Sequence, residues 1–391
     1  MAAKQLHVLF LPKWYPSKFD EFDGNFIEDH AKAIAKKCTI GLIFVHSDDS
    51  ITDAYRLEKT TPHGFPEWRV FYKKADFSLG IVNKAIGFYR YYKAQQFAYK
   101  SYVEEMGTPD LSHVHINGRS ALLALQLKKK FKIPFLISEH WSGYTKENGA
   151  FSGNLRKWAY RYIAQQSKAI TCVSNYLKEA MQSHHIKSNY HLIPNVVNTA
   201  LFQAAPKEER TRKRIVHISN LSRTPKNIHL IVEALHQVGL KREDFTVDII
   251  GTGADEKEML SQLEKSSIND RFQFHGEIAL PEVAQILAQS DFMLLYSQYE
   301  TQSVVLIESF ACGIPVLAPN VGGVPEYMSR ERGILLPPNS VEILTKGIDE
   351  MLDKTETFDS SKMVEYARNE FSEEKISSQF KHLYSQILSH V

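Results

Sequence analysis

An α/β protein made of two doubly wound, Rossmann-like domains is the architecture this sequence predicts, on three observations. The chain has 391 residues, about twice the usual domain length of roughly 100–200. Short apolar runs alternate with longer amphipathic stretches, as in parallel sheets whose two faces are covered by helices. The series runs twice. The break lies near Ile193-Pro194-Asn195, ahead of the charged, proline-containing stretch Phe202 to Arg214.

The first series of expected strands is Leu6–Leu11, Thr39–His46, Ser112–Ile116, Phe135–Ser138, Ala169–Val173 and Tyr190–Ile193. Helical stretches at Asn25–Lys37, Ala121–Lys130, Asn154–Gln165 and Ser174–Ser183 separate most of them. The second series is Ile215–Ile218, Thr246–Ile250, Phe272–His275, Phe292–Leu295, Pro315–Ala318 and Gly333–Leu335. The expected domains are residues 1–195 and 196–371, and the last helix, 372–391, is expected to return to the first domain. In such sheets ligands bind at the carboxyl ends of the strands, so the two domains should face each other across a cleft.

Composition narrows the class. Hydrophobic residues make up 43% and charged residues 24%, which excludes a disordered or fibrous chain. No apolar run reaches the 18 or more residues of a membrane span. Leu6 to Leu11, ended by Pro12, is too short for a secretory signal and reads as a buried strand. The three cysteines, Cys38, Cys172 and Cys312, form neither a disulfide framework nor a metal cluster, so a reducing cytoplasm is expected. Net charge is +2, yet residues 1–195 carry 27 Lys+Arg against 17 Asp+Glu, and residues 196–391 carry 20 against 28. That split points to domains with different partners.

The most informative stretch runs from Tyr299 to Tyr327. Glu300 follows a buried strand, and Thr301-Gln302-Ser303 leads into a helix from Val304 to Ala311, ended by Gly313. A loop feeding a helix N-terminus aims free backbone N–H groups outward, a ready site for a diphosphate. Glu308 would sit one to two turns into that helix, where a carboxylate can accept two ribose hydroxyls. Lys226, in a loop between strand and helix, can cap a diphosphate as a point charge. Gly251 opens a Gly-x-Gly after another buried strand, where a ligand approaches closely or a helix packs tightly.

This segment resembles the signature of the retaining glycosyltransferases of family 4, which have the GT-B fold. The matching features are Glu300 and Glu308 with seven residues between them, Gly313-Ile314-Pro315-Val316, and Gly322-Gly323-Val324-Pro325-Glu326. Pro194-Asn195-Val196-Val197-Asn198 is similar to the family's interdomain Pro-Asn-Gly-Val-Asp, with Val196 and Asn198 replacing Gly and Asp. His217 to Asn227 resembles the diphosphate strand and loop, except that Asn220 stands where the family shows Arg. The resemblance covers nearly the whole chain.

The resemblance implies sugar transfer from a nucleotide-diphosphate donor, such as a UDP- or GDP-sugar, to a hydroxyl acceptor, without cofactor or metal. No Asp-x-Asp triplet and no His/Cys run with ligand spacing is present. Glu308 would hold the ribose. Arg223, Lys226 and the backbone of Thr301, Gln302, Ser303 and Val304 would neutralise the leaving diphosphate. Glu300 and His140 would fix the donor sugar, His140 from the carboxyl end of its strand. Gly24 and Asn25 match the family's first loop, which approaches the donor phosphate. Trp141 and Tyr144 could stack on a sugar, and His113 and His115 read as structural or acceptor-facing. A glycan or lipid-linked acceptor of cell-surface polysaccharide or glycolipid synthesis is expected.

Phe71 to Tyr102 carries six Lys+Arg against one Asp, with aromatics interleaved. That composition suits a helix on an anionic membrane, equally a core helix with a basic outer face. The expected location is cytoplasmic, peripheral on the inner membrane's cytoplasmic face. No nucleic-acid motif accompanies the basic half. The rival readings are a sugar-nucleotide epimerase or hydrolase of the same architecture, and a non-catalytic binding subunit. Transfer to an added acceptor separates them.

Overall fold

The computed structural model describes residues 5–74 and 80–389. The chain divides into two compact units. One comprises Met1–Val173, Leu177–Val196 and Ile376–Val391, the other Ser174–Tyr176 and Val197–Lys375. The changeover after Val196 lies one residue beyond the expected boundary, and residues 174–176 fall with the second unit.

The first unit holds an eight-stranded sheet. Its strands are β1 (His7–Pro12), β2 (Thr39–Ser47), β3 (Tyr55–Thr60), β4 (Glu67–Tyr72), β5 (Leu111–His115), β6 (Phe135–Glu139), β7 (Ala169–Cys172) and β8 (Tyr190–Leu192). Their order is β3-β4-β2-β1-β5-β6-β7-β8. All pairings are parallel except β3 with β4. Every residue of β1 is buried, because alternate side chains enter opposite layers. Leu9 and Leu11 join one apolar cluster, Val8 and Phe10 the other. The helix Glu373–Ser389 supplies Ile376, Phe380, Leu383, Tyr384 and Ile387 to the second cluster, a one-faced stripe at helical spacing.

The second unit holds six strands, all parallel. These are β9 (Lys213–Ile218), β10 (Phe245–Ile250), β11 (Phe272–Gly276), β12 (Phe292–Leu294), β13 (Val316–Pro319) and β14 (Gly333–Leu336), ordered β11-β10-β9-β12-β13-β14. The chain builds outward from β9 in one direction, then crosses back to add β12 on the other side. That reversal is the switch point of a dinucleotide-type fold, where the loops after the two adjacent strands diverge and leave room for a ligand. In the first unit the same reversal falls between β1 and β5.

Two strands differ from the sequence expectation, β3 and β4. β3 (YRLEKT) is a largely exposed edge strand, so no apolar run announces it. β4 (EWRVFY) carries charge inside the sheet. Glu67 is fully buried and accepts from Tyr15 Oη at 2.7 Å and from Arg69 at 2.6 and 2.9 Å. Phe71 and Tyr72 therefore belong to β4 and are buried, not to a basic helix. That helix is Gly80–Met106. Tyr91, Ala94, Ala98 and Tyr102 face the sheet, while Phe88, Tyr89, Lys93, Phe97 and Lys100 are exposed. Residues 75–79 of the basic–aromatic stretch lie outside the described residues.

Candidate active site

In the second unit the loops after β9, β10 and β12 converge at the switch point. Lys226 and Glu300, 74 residues apart, form an ion pair, Nζ to Oε1 at 2.6 Å. Glu300 Oε1 also accepts from Ser297 Oγ at 2.8 Å. Both side chains are largely but not wholly covered. An ammonium has three donors, and one serves Glu300, which leaves two for a phosphate. On the carboxylate, Oε2 has no protein partner among the described residues and can accept a hydroxyl.

Asn227 and Gln298 tie the two loops together. Asn227 Nδ2 donates to the Tyr296 carbonyl at 3.0 Å, Gln298 Nε2 to Asn227 Oδ1 at 2.8 Å, and the Gln298 N–H to the Pro225 carbonyl at 2.7 Å. Beneath them His217 lies fully buried between the Leu294 carbonyl and Ser219 Oγ, at 2.8 and 2.7 Å. Burial pushes its imidazole down to about 4, so it is neutral.

The Gly322-Gly323 turn fixes the other side of Glu300. Gly322 has a φ of +54°, and an added Cβ would lie 2.0 Å from the Glu300 carbonyl oxygen. At Gly323 a Cβ would lie 2.0 Å from the Thr301 carbonyl oxygen, and the Gly323 N–H donates to the Glu300 carbonyl at 3.0 Å. Only a side-chain-free turn can cradle this backbone. From there Thr301, Gln302 and Ser303 lead into the helix Val304–Ala311. Ser303 takes the cap position with no side-chain cap bond, and the first helical N–H groups have no partner within the helix. Glu308 is half-buried in the second turn. Gly251 follows β10, and an added Cβ there would lie 2.0 Å from the carbonyl oxygen of Ser219 in the loop after β9.

Arg223 departs from its expected role. Its guanidinium is engaged by Glu258 and lies 3.9 Å from Asp255, both at the start of the helix Glu256–Glu264. A partly exposed pair of this kind is weak.

The first unit builds a second constellation at the carboxyl ends of β1, β5 and β6. Gly24 caps the helix Asn25–Ala35 in the left-handed region, φ +72°, and an added Cβ would meet the Trp14 backbone at 2.5 Å. Asn25 opens the helix, its Oδ1 accepting from the Phe26 N–H at 2.8 Å. Glu139, fully buried, accepts from the backbone N–H groups of Asn117, His140 and Trp141 and from Tyr144 Oη, at 3.0–3.1 Å. It thereby locks the loop that carries His140.

His140 is buried and packs on Phe26 and His30 at ring distances of 4.7 and 5.4 Å. His30, His115 and His140 each bring one ring nitrogen within 4.8 Å of the others. Sequence spacing cannot reveal such a cluster, because the three come from different elements. Burial holds all three imidazoles below their usual range, His30 down to about 4. His113 is structural, bonding Tyr384 Oη at 2.7 Å and Ser138 Oγ at 2.6 Å. Tyr144 is buried against Glu139. Missed by sequence reasoning were Lys13, Arg119 and Arg156, from three separate elements, and Glu139, the neighbour of His140. The strand register beside His140 was the available signal for Glu139.

Two Rossmann-like units, each a largely parallel sheet with its own switch point, define a two-domain α/β class of protein. Comparison with known proteins agrees. Residues 198–370 match the family "Glycosyl transferases group 1", and residues 29–201 match "Glycosyltransferase Family 4". The chain belongs to these family 4 glycosyltransferases, as its resemblance implied. It is 28% identical to N-acetyl-alpha-D-glucosaminyl L-malate synthase of Bacillus anthracis, over 71% of this chain and 75% of that protein. It is 24% identical to alpha-monoglucosyldiacylglycerol synthase of Streptococcus pneumoniae, over 58% and 56%. Among solved structures, sucrose-phosphate synthase from Thermosynechococcus elongatus superposes with a TM-score of 0.74 at 19% identity, covering 98% of this chain and all of that one. Anabaena HepE in complex with UDP and glucose gives 0.72 at 17%, over 97% and 99%. These structures share the GT-B fold.

Proposed function

We propose that the protein is a retaining, metal-independent glycosyltransferase that moves a sugar from a nucleotide-diphosphate donor to a hydroxyl of a glycan or lipid-linked acceptor. The single observation carrying this reading is the Lys226–Glu300 pair, set at a switch point beside the helix that bears Glu308. The two remaining Lys226 donors and the helix N–H groups neutralise the diphosphate as it leaves, and such electrostatic stabilisation usually contributes most to catalysis. Glu300 Oε2 accepts a sugar hydroxyl, and Glu308 accepts from the ribose. His140, neutral and held by its loop, contributes to recognition of the sugar. Arg223 reaches the phosphates only by leaving Glu258. The sugar–phosphate bond breaks and the acceptor oxygen bonds the anomeric carbon on the same face. The hydroxyl proton passes to the departing phosphate oxygen.

HepE has been crystallised with UDP-glucose, which supports a uridine nucleotide as the first donor to try. A lipid-linked acceptor is supported by the relative named as a diacylglycerol glycolipid synthase and by the surface of the first unit. There the exposed face of Gly80–Met106 adjoins a groove of about 820 Å³ lined by Phe88, Tyr92, Lys128, Lys129, Lys130 and Tyr162. Exposed aromatics beside lysines suit peripheral attachment to an anionic cytoplasmic membrane face. No helix among the described residues is long and apolar enough to cross a membrane. The test is nucleoside diphosphate release from a panel of nucleotide sugars, with and without glycolipid acceptors. Release only in the presence of acceptor supports transfer, whereas acceptor-independent release favours a hydrolase.

A further inference from the structure

Three cations lie at the carboxyl edge of the first sheet, two of them on one indole ring, with no carboxylate bonded to any of them among the described residues. Lys13 follows β1, Arg119 follows β5, and Arg156 lies in the first turn of the helix Asn154–Gln166. Lys13 Nζ sits 4.8 Å from the Trp14 ring and 5.2 Å from the Trp141 ring. Arg156 stacks on that same Trp141 at 4.7 Å, and Arg119 on Tyr91 at 4.4 Å. The Trp141 indole is fixed in place, since an added Cβ at Gly143 would lie 2.0 Å from it. The polar partners of the two arginines are neutral. Arg156 donates to the Ala150 carbonyl at 3.0 Å and Arg119 approaches Tyr72 Oη at 3.4 Å.

The nearby acids do not satisfy these charges. Glu139 has both oxygens committed to four donors of its own loop. Asp23, pushed up to about 6 chiefly by burial, is still mostly ionised near pH 7 but forms no ion pair with any of the three among the described residues. Desolvation is the main cause that lowers the pKa of Lys13; Glu139 opposes it, Arg156 and Arg119 add smaller lowering effects, and Asp23 opposes them last. A partly desolvated cation beside two others is costly unless an anion arrives. Cation–π contact offsets about 0.5–2 kcal/mol of that cost and leaves every ammonium N–H of Lys13 unused.

We propose that Lys13, Arg119 and Arg156 form an anion subsite, and that the acceptor carries a phosphate or carboxylate which they bind beside Trp141. The proposal rests on the transferase reading for the word acceptor; the anion site itself does not. A planar guanidinium accepts either group in bidentate fashion, and the lysine adds a point charge. The ligand's apolar or sugar part would lie on the Trp141 face.

The experiment measures binding of two probe anions, sn-glycerol 3-phosphate and succinate, to the full chain by calorimetry, with glycerol and succinamide as neutral counterparts. Lys13→Gln and Arg156→Gln are compared with wild type, and folding is monitored by circular dichroism. One or both anions are expected to bind wild type while the neutral compounds do not, and the anion that binds names the class. Each substitution should cost at least about tenfold in affinity, since hydrogen bonds to charged groups contribute about 1.5–3 kcal/mol. Absence of binding by both anions, equal binding of the neutral compounds, or unchanged affinity in both folded variants would overturn the site. Nucleotide binding is measured in the same samples. Its loss in wild type would sink the transferase reading without touching the anion result, and its retention in the variants separates the two sites.

Discussion

The two oxygens of Glu300 have separate duties, and so do the two carboxylates of the Tyr299–Tyr327 segment. Oε1 is held by Lys226 and Ser297, while Oε2 remains available to substrate. Glu308→Ala should therefore weaken nucleotide binding about 10- to 150-fold, which calorimetry with nucleoside diphosphate checks; unchanged affinity would remove Glu308 from the ribose. Both acids were legible because they sit in one contiguous segment whose loop-to-helix form can be read directly. Lys13, Arg119 and Arg156 were not, because they meet only when three strands lie side by side.

Titration belongs to this scale too. His30, His113, His115, His140 and His217 are buried and held below their usual pKa, His30 and His217 at about 4. The unfolded chain binds these protons below about 6.5 while the folded chain refuses them. Their contribution is thus complete above that value and falls as pH drops toward 4, by up to about 1.4 kcal/mol per pH unit for each group. Asp23 and Glu139, shifted upward by burial, oppose this in part. Urea melts at pH 7 and 5 should show the first unit, which holds four of the five histidines, losing more stability. An equal or greater stability at pH 5 would contradict this account.

Among elements, loops set the geometry and strands supply the frame. Gly24→Ala places a side chain at φ +72° and drives its Cβ into the Trp14 backbone. Loss of at least about 1–2 kcal/mol is expected from the left-handed backbone alone, with activity falling as the first loop shifts. A melt and a turnover assay on the same sample would show it. Strands with continuous apolar runs, such as β1 and β9, were legible, whereas β3 was hidden by its exposed, polar edge position and β4 by the buried charge of Glu67. Gly80–Met106 is core on the Tyr91–Tyr102 side and exposes aromatics and lysines on the other.

For the molecule as a whole, the charge division separates a basic first half from an acidic second half. The basic half carries the outward lysines and exposed aromatics, and the acidic half carries the acid–lysine pair. Wild type should sediment with anionic vesicles at low salt and be released at high salt, because each lysine near the surface contributes about 1 kcal/mol and screening shortens its reach. Lys93→Glu, Lys129→Glu and Lys130→Glu together should abolish sedimentation while leaving nucleotide binding intact. Failure of wild type to bind at low salt would leave the groove to a soluble acceptor.

The central claim is that the second unit binds a nucleotide diphosphate through Lys226, Glu308 and helix N–H groups, without metal. Thermal melts with UDP, GDP and their sugars, in excess EDTA, test it most directly, since a ligand that binds only the folded state raises stability by about 2.7 kcal/mol at 100 times its Kd. At least one nucleotide should raise the melting temperature of wild type, with and without EDTA, and Glu308→Ala should lose most of that shift. No stabilisation by any of them, or stabilisation that EDTA abolishes, would contradict the account.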